Sequence, residues 1–387
     1  MKKTTLSRLL FLALIIFTGC ADPMVELEEQ VAVQKNSSSA DRGADNSNAR
    51  VADYLDYGMH WFNAQGNPAK AYDETTGQAL SVSSAYYDPS KPTVIYFHGW
   101  QQNTATQNYK RNDFSLTNED NGQQVNTMAQ WKADGWNVAI FYWNQFADES
   151  EVKDAEAKIW SANGPQGMRY RLSDGSYSTA QSPSKPVSQL AFQQFKAVFS
   201  NHSNSNFRFA GHSLGNQLAT AVAKKVSDAV RGGSISSNLM PKRLELLDPF
   251  WSKGEKSYLN NDWTGERVRN NISTMISRHD LAVTWYKSTL ILTAGVGDGN
   301  NPLKDIVAFQ SMRPWYLNSW QVADKHSYVW KHYFWSYGFD APAEVTINWW
   351  GRRKKTGNVA ASSSTSTSRI RQMMGDDHVW DQVEGRY

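Results

Sequence analysis

Residues 211–215 read Gly-His-Ser-Leu-Gly, a Gly-x-Ser-x-Gly pattern that could present Ser213 as a nucleophile. In this pattern the serine lies on a sharp turn between a strand and a helix. The β-rich run at 207–210 predicts the strand, and apolar residues at helical spacing over 214–223 predict the helix. Ser213 would then project its hydroxyl at the amino end of the helix, where the helix dipole favours developing negative charge. Acyl transfer at Ser213 is the predicted chemistry, and a helix-capping serine is the alternative interpretation.

Two glycines flank this serine, and their positions have a steric reason. A serine in a strained turn is tolerated only where neighbouring side chains do not block the approach of the helix to the strand. Gly211 and Gly215 leave that space open. The sequence therefore predicts that both glycines shape the turn around Ser213.

The serine needs two partners, an acid and a histidine. Because a serine hydroxyl is a poor nucleophile near neutral pH, a base must take its proton and a third group must orient that base. In motifs of this kind the chain order is serine, acid, histidine. Asp248 fits the acid, because it follows the apolar run 244–247 and precedes Pro249, which would end the strand. A turn-forming residue at an Asp-Pro step is the alternative interpretation of Asp248.

Three of the eight histidines remain as candidates for the base. His378 lies in a tail of looser composition, and chain order excludes four others. The excluded four are His60, His98, His202 and His212. His326 is favoured, because its aromatic-rich segment would close the site and exclude water. His279 is the second candidate, with a buried core histidine as its alternative interpretation, and His332 is the third.

The backbone also has to stabilise the negative oxygen of the tetrahedral intermediate. Two backbone N–H groups do this in an oxyanion hole, and losing one such donor costs about 2.7 to 4 kcal/mol. The residue after the nucleophile, Leu214, should supply one of them. The turn after the strand at 93–97 offers the other at Trp100, where Gly99 leaves space for the substrate. We expect the side chain of His98 to make structural hydrogen bonds.

The elements that must position these residues follow an α/β pattern. Short apolar, β-rich runs alternate with helical patterns, which indicates a mostly parallel central sheet flanked by helices. The clearest strands are 93–97, 138–143, 207–210 and 244–247. Ligands bind at the carboxyl ends of the strands in such sheets, so the site is expected just after them.

Composition excludes several classes of protein. The 387 residues include 40 basic and 37 acidic ones, and a net charge of only +3 argues against nucleic-acid binding as a main role. A mean hydropathy of −0.60 excludes a polytopic membrane protein. One cysteine excludes a disulfide framework or a thiolate metal site. The predicted mechanism requires no metal and no organic cofactor.

The first 53 residues predict a targeting signal and a tether. Basic residues precede a short apolar run at 9–17, so 1–19 is predicted to be a signal peptide. Residues 17–20, Phe-Thr-Gly-Cys, resemble a bacterial lipobox. This resemblance implies a lipidated Cys20 and a cell-envelope location, at the outer membrane or cell surface. Ordinary cleavage with a stray thiol, or a retained anchor, is the alternative. Residues 20–53 contain no aromatic side chain and predict a solvated tether.

The domain boundaries follow from the aromatic residues. Aromatic density rises at residue 54 and stays high to residue 350, which predicts one catalytic domain over 54–350. Residues 351–387 are predicted to be a loose tail with a basic run at 352–355 and a Ser/Thr-rich stretch at 361–368. Contact with membrane headgroups is one interpretation of the basic run, and a solvated charge cluster is the favoured one.

In these motifs the chain resembles the pancreatic-lipase type of α/β-hydrolase. Residues 98–100 are similar to that family's oxyanion turn, 211–215 to its nucleophile elbow and 247–249 to its catalytic-acid segment. The segment from 326 to 336 is similar to the one around its catalytic histidine. Residues 276–280 resemble a family strand whose histidine is not the base.

The resemblance implies an α/β-hydrolase fold and a serine hydrolase that cleaves carboxylic esters, most simply those of lipids, as a triacylglycerol lipase or phospholipase A does. Ser213 would be the nucleophile, Asp248 the orienting acid and His326 the base. The expected partners are a lipid or other ester substrate and a membrane surface reached through lipidated Cys20, with no nucleic acid. A short-chain esterase, a serine peptidase and a noncatalytic surface lipoprotein that kept the fold are the alternatives.

The same resemblance places a lid over 287–325, where apolar residues and several glycines occur. The sequence also departs from the family. Tyr142 stands where the family usually has Asp, and the family's disulfides are missing. Only 61 residues follow His326, too few for the family's C-terminal β-sandwich.

Overall fold

The structure of the protein is a computed structural model. It describes residues 54–107, 126–289, 297–318 and 320–382. The predicted signal peptide, the candidate lipidation residue Cys20 and the tether lie outside the described residues. Within those ranges, no helix has both the length and the apolar character needed to span a bilayer.

Strands and helices alternate along the described chain. The strands are β1 (Gly58–Phe62), β2 (Pro68–Lys70), β3 (Tyr72–Asp73), β4 (Gln78–Ala79), β5 (Thr93–Phe97), β6 (Asn137–Tyr142), β7 (Tyr170–Arg171), β8 (Tyr177–Ser178), β9 (Phe207–His212), β10 (Arg243–Leu247), β11 (Ala282–Lys287), β12 (Ala308–Pro314), β13 (Ala343–Ile347), β14 (Arg353–Val359) and β15 (Asp377–Gln382). The α-helices are α1 (Thr127–Ala133), α2 (Asn144–Ala147), α3 (Val152–Trp160), α4 (Val187–Val198), α5 (Gly215–Arg231), α6 (Thr264–His279), α7 (Val322–Trp335) and α8 (Thr367–Met373).

Eleven strands of the described chain form one sheet in the order β14-β13-β15-β12-β11-β10-β9-β5-β6-β1-β2. The seven neighbours from β15 to β6 are parallel. The antiparallel pairs lie at the two ends of the sheet. This arrangement confirms the predicted mostly parallel central sheet. After β5 the chain adds β6 on one side of β5 and later adds β9 on its other side. Such a switch point in the strand order opens a crevice at the carboxyl ends of the strands.

The four strands predicted from sequence are β5, β6, β9 and β10, and each prediction is correct to within two residues. They are adjacent in the centre of the sheet. All their residues are buried. Burial on both faces explains why these strands are mostly apolar in the sequence, with Arg208, Arg243 and Glu245 as charged exceptions.

Helices pack against both faces of this sheet, because successive strand side chains point to opposite sides. On one face the ring of Tyr96 lies 5.2 Å from that of Phe334 in α7. On the other face the ring of Phe209 lies 5.7 Å from that of Phe195 in α4. The predicted layers of helix, sheet and helix are therefore present.

The C-terminal residues differ from the sequence prediction, because they complete the sheet. β15 lies between β12 and β13 and is parallel to β12, with Pro314 opposite Gln382. Ile370 and Met373 of α8 join the buried core. The predicted domain boundary at residue 350 thus lies inside the folded unit, and the described part of the predicted 351–387 tail is structural.

The Ser/Thr-rich stretch at 361–368 shows the physical reason for this difference. Ser362 and Ser363 are fully buried, and their carbonyl oxygens accept hydrogen bonds from the guanidinium groups of Arg243 and Arg208 at 3.2 and 2.5 Å. Buried guanidinium groups need such partners, and any residue type supplies a carbonyl. The side-chain composition of residues 361–368 therefore does not indicate that this stretch is buried.

The stretch predicted as a lid is also partly structural. Within 287–325, β12 pairs in parallel with β11 on one side and β15 on the other. Leu303 and Val307, just before β12, are fully buried. A lid over the whole stretch is therefore wrong, and the apolar run at 290–292, on which it partly rested, lies outside the described residues.

One buried histidine couples the stability of the fold to pH. His332 in α7 is fully buried, and its Nε2–H donates to the Ala361 carbonyl at 2.9 Å. Burial lowers the pKa of His332 from its ordinary value of 6.5 to about 4. Above about pH 6.5 the group is neutral in both the folded and the unfolded state. Between 6.5 and 4 only the unfolded state binds the proton, so the free energy of unfolding decreases as the pH falls.

We expect this histidine to reduce the free energy of unfolding by about 2 kcal/mol between pH 7 and pH 5. In His332→Gln the non-titrating amide should remove that share of the pH dependence. Urea unfolding of both proteins at the two pH values measures the difference. An equal loss of stability in both proteins would contradict the assignment.

Candidate active site

The Gly-x-Ser-x-Gly motif forms a tight turn between β9 and α5. β9 ends at His212 and α5 begins at Gly215, so Ser213 lies between them. Its φ of 54° is in the left-handed region, which costs a residue with a side chain about 1–3 kcal/mol. The Ser213 N–H donates to the Leu247 carbonyl at 3.1 Å, and its own carbonyl accepts from the Phe250 N–H at 3.3 Å. These bonds hold the strained turn against the end of β10.

The two motif glycines lie where no side chain fits. A Cβ on Gly211 would lie 2.3 Å from the Gly215 carbonyl oxygen. A Cβ on Gly215 would lie 1.9 Å from the Phe97 carbonyl oxygen and 2.6 Å from that of His98. All three obstacles are backbone atoms. The close approach of α5 to β5 and β9 therefore requires glycine at both positions.

We expect Gly215→Ala to destabilise the protein by about 3 kcal/mol, because the new methyl group must push α5 away from the end of β5. Gly299→Ala is the matched control, since its Cβ would find its nearest neighbour at 3.7 Å, an ordinary contact. Urea unfolding of both variants measures the effect. Similar stability in the two variants would contradict the steric argument.

Asp248 follows β10 directly and is held by backbone groups. It has a φ of 39° and is 3% exposed. Its N–H donates to the Tyr286 carbonyl at 2.8 Å. Its Oδ1 accepts from the N–H groups of Ser288 and Thr289 at 3.1 and 3.4 Å. These bonds leave Oδ2 directed at a fourth group.

That fourth group is the imidazole of His326, which lies in α7. Its Nδ1 is 2.7 Å from Asp248 Oδ2. Because a carboxylate can only accept, Nδ1 carries the proton and the Nε2 lone pair is the proton acceptor. The structure therefore brings together the predicted acid and the predicted base, which are separated by 78 residues in the sequence.

The His326 imidazole also lies beside the serine turn. Its ring centroid is 4.3 Å from that of His212, the residue before Ser213. The His212 Nε2–H donates to the His326 carbonyl at 2.9 Å. Among the described residues no hydrogen bond joins the Ser213 hydroxyl to the imidazole. In active sites of this kind that contact is often long until a substrate binds.

The turn after β5 lies against the serine. A Cβ on Gly99 would be 2.7 Å from the Ser213 Cβ and 3.3 Å from its Oγ. Trp100, the next residue, is anchored by its indole N–H, which donates to the Glu149 carbonyl at 2.8 Å. No hydrogen bond within the described ranges uses the backbone N–H of Trp100 or of Leu214. Both predicted oxyanion donors are therefore in segments that adjoin Ser213.

The His98 side chain is structural, as its sequence position suggested. Its Nδ1–H donates to the Gly99 carbonyl at 2.9 Å, and its Nε2 accepts from the Trp143 N–H at 3.0 Å. The Trp143 indole N–H donates back to the His98 carbonyl at 2.8 Å. These bonds fix the turn that carries Trp100.

The two other candidate bases lie elsewhere. His279 ends α6, and its Nε2 is 2.8 Å from the Ser227 hydroxyl, far along α5 from Ser213. His332 is enclosed in the core. The strand expected at 276–280 is wrong, because these residues end or follow α6. The buried residues of α6, Val268, Ile272 and Met275, recur at helical spacing, and this pattern identifies the helix in the sequence.

Three residues of the site were missed by the sequence analysis. Ser288 and Thr289 orient Asp248 through their backbone N–H groups, and backbone donors leave no trace in side-chain type. The Ser288 hydroxyl also donates to the carbonyl of Lys325, which precedes His326. His212 was set aside by chain order as a base, yet it contacts the segment that carries the base. Its position next to the serine was the available signal.

The parallel sheet, the helices on both faces and the strand–turn–helix elbow at its centre define an α/β-hydrolase fold. No group of three or more His, Cys, Asp or Glu side chains in the described part of the chain is placed to hold a metal ion.

Comparisons with known proteins concern the fold. No protein-family profile matches the sequence, and no curated protein sequence matches it significantly. Est1E from Butyrivibrio proteoclasticus, solved with ferulic acid, is 10% identical over 52% of this chain and 70% of its own, with a TM-score of 0.23. An esterase from Pyrobaculum calidifontis is 13% identical over 74% and 80%, with a TM-score of 0.26. The acylaminoacyl peptidase of Pyrococcus horikoshii is 8% identical over 51% of this chain and only 27% of its own, with a TM-score of 0.24.

Proposed function

We propose that the protein is a serine hydrolase that cleaves carboxylic esters through an acyl-enzyme on Ser213. One observation carries the proposal: His326 Nδ1 lies 2.7 Å from Asp248 Oδ2, and both residues adjoin the strained serine turn. An oriented imidazole beside a serine is the arrangement that activates a hydroxyl as a nucleophile.

In the proposed mechanism the Nε2 of His326 takes the Ser213 proton while Oγ attacks the ester carbonyl. The backbone N–H groups of Leu214 and Trp100 hold the negative oxygen of the tetrahedral intermediate. The imidazolium, stabilised by the Asp248 carboxylate, then gives its proton to the leaving alcohol. Water attacks the acyl-enzyme by the same steps and releases the acid.

We further propose a lipase-like or phospholipase-like specificity of the pancreatic-lipase type. The support is the similarity of segments 98–100, 211–215, 247–249 and 326–336 to that family. The lipid anchor proposed for Cys20 would hold the enzyme near membrane substrates. A short-chain esterase or a peptidase would use the same three side chains. Initial rates on esters of increasing acyl length and on matched peptides separate these possibilities.

A fluorophosphonate probe tests the proposed hydrolase directly. The native protein should become labelled, and mass spectrometry should place the adduct on Ser213, because only an activated serine attacks this phosphorus centre quickly. Urea-unfolded protein is the control and should remain unlabelled. A well-folded protein that takes up no label would favour the noncatalytic binding protein instead.

We also propose that the mature chain begins at a lipidated Cys20 and is anchored in the bacterial cell envelope, at the outer membrane or cell surface. In Cys20→Ser we expect the protein to move from the membrane fraction to the soluble fraction, since the thiol is the predicted attachment point. Immunoblots of separated fractions measure this change. Cys20→Ser protein that stays with the membranes would overturn lipid attachment.

A further inference from the structure

A cavity of about 480 Å³ opens next to the segments that bind Asp248 and that precede His326. Its lining includes Ser288 and Thr289, whose N–H groups bind Asp248, and Lys325, which precedes His326. The cavity is thus built on the same loop that orients the acid. It lies at the carboxyl ends of β11 and β12, the edge of the sheet at which ligands bind in this fold.

The lining of this cavity is strongly basic. Its five cationic side chains are Lys287, Lys304, Arg313, Lys325 and Arg353, and its carboxylate is that of Asp381. Arg353 pairs with Asp381 at 2.5 Å. Four positive charges therefore remain in excess around one cavity, although the whole chain has almost balanced charge.

None of these four cations forms an ion pair with the described residues. The ammonium group of Lys304 lies 4.4 Å from the centre of the Phe309 ring. Burial, with a further contribution from neighbouring Lys304, lowers the pKa of Lys287, and the Asp248 charge opposes this only in part. Like charges gathered in a partly desolvated cleft create a strong positive potential, which attracts anions.

Part of the lining of the cavity is apolar. Met312, Pro314 and Trp315 contribute to it, and the Trp315 side chain is 57% exposed. A site for a free inorganic ion alone would gain nothing from these apolar residues. The combination of cations and apolar surface favours an organic molecule that carries an anionic group.

We propose that this cavity binds the phosphate group of a phosphate-bearing ester substrate. The proposal rests on the proposed function and names its substrate class. His326 gives its proton to the leaving alcohol, so the alcohol part of the substrate faces the histidine side of the site, where the cavity lies. A phosphate has several strong acceptor oxygens and can bind two or more cationic side chains at once. The phosphate would therefore be carried on the alcohol part, as in a glycerophospholipid.

The test compares two soluble esters with the same acyl chains, dihexanoyl phosphatidate and uncharged dihexanoylglycerol. The full-length wild type should have a kcat/KM at least about tenfold higher for the phosphate-bearing ester. The double variant Lys304→Gln/Arg313→Gln should lose about tenfold on that ester and keep its rate on the uncharged one. Lys196→Gln/Arg231→Gln is the matched control, because both residues are exposed cations in the last turns of α4 and α5. This control should resemble the wild type with both esters.

Calorimetric titration with inorganic phosphate forms a second arm that does not depend on catalysis. The wild type should bind phosphate, and the Lys304→Gln/Arg313→Gln variant should bind it about tenfold more weakly. Equal binding by the two proteins, or no binding, would overturn the cavity assignment even if neutral esters are hydrolysed. Phosphate binding without a preference for the charged ester would assign the cavity to a free anion and overturn the substrate class. If neither ester is hydrolysed, the proposed function fails and the titration still decides the cavity.

Discussion

Replacement of Ser213 by alanine is expected to lower kcat/KM for ester hydrolysis by a factor of about 10⁴ or more, because no other group in the proposed mechanism attacks the carbonyl. The oxyanion donors and substrate binding should leave a small residual rate. Steady-state hydrolysis of a chromogenic ester measures the loss, and the variant should no longer react with the fluorophosphonate probe.

Folding and catalysis can be separated in this experiment. The Ser213 side chain makes no hydrogen bond within the described ranges, so alanine should leave the unfolding midpoint almost unchanged. Ser234→Ala is the matched control, because its exposed hydroxyl bonds only the Ala229 carbonyl, far from the site. A folded Ser213→Ala protein that keeps more than a tenth of the wild-type rate would show that Ser213 is not the nucleophile.

Replacement of Asp248 by asparagine is expected to have the second-largest effect, a decrease in kcat of about 10⁴. An amide presents its N–H₂ or its oxygen to Nδ1 with nearly the same shape as the carboxylate. It favours the wrong tautomer of His326 and no longer stabilises the imidazolium. The effect should fall on kcat more than on KM, since the acid touches the histidine and not the substrate.

Asp324→Asn is the control for this change. Asp324 lies in the first turn of α7, two residues before His326, and is exposed. If proximity of any negative charge were sufficient, both variants would lose activity to a similar extent. We expect Asp324→Asn to stay within about twofold of the wild type, since the field of an exposed charge is screened by solvent.

The centre of the fold could be predicted from the sequence because the residue pattern of each central strand agrees with its burial in the sheet. β5, β6, β9 and β10 are buried on both faces, so each appears as a mostly apolar run. The turn at Ser213 combines the Gly-x-Ser-x-Gly motif with two glycines, Gly211 and Gly215, at positions where a Cβ would collide with the backbone. The placement of Asp248 followed from the order of elements, since the carboxyl ends of parallel strands meet at one edge. His326, which lies in α7, was favoured by chain order and by its aromatic-rich segment.

The parts that were mispredicted depend on contacts between distant backbone groups. The stretch at 361–368 has the composition of a solvated tail, yet its carbonyls bind Arg208 and Arg243 from two central strands. β12 was assigned to a lid because the family resemblance placed one over 287–325, a stretch with an apolar run and several glycines. Backbone partners and sheet neighbours are decided by the whole chain, so residue type alone carries little information about them.

The insertion of β15 between β12 and β13 has a consequence for truncated forms of the protein. Removal of β15 would leave β12 with an unpaired edge and would detach the β13–β14 pair from the rest of the sheet. An unpaired edge of this kind can pair with another chain, so a form without residues 377–382 should aggregate or be removed by quality-control proteases.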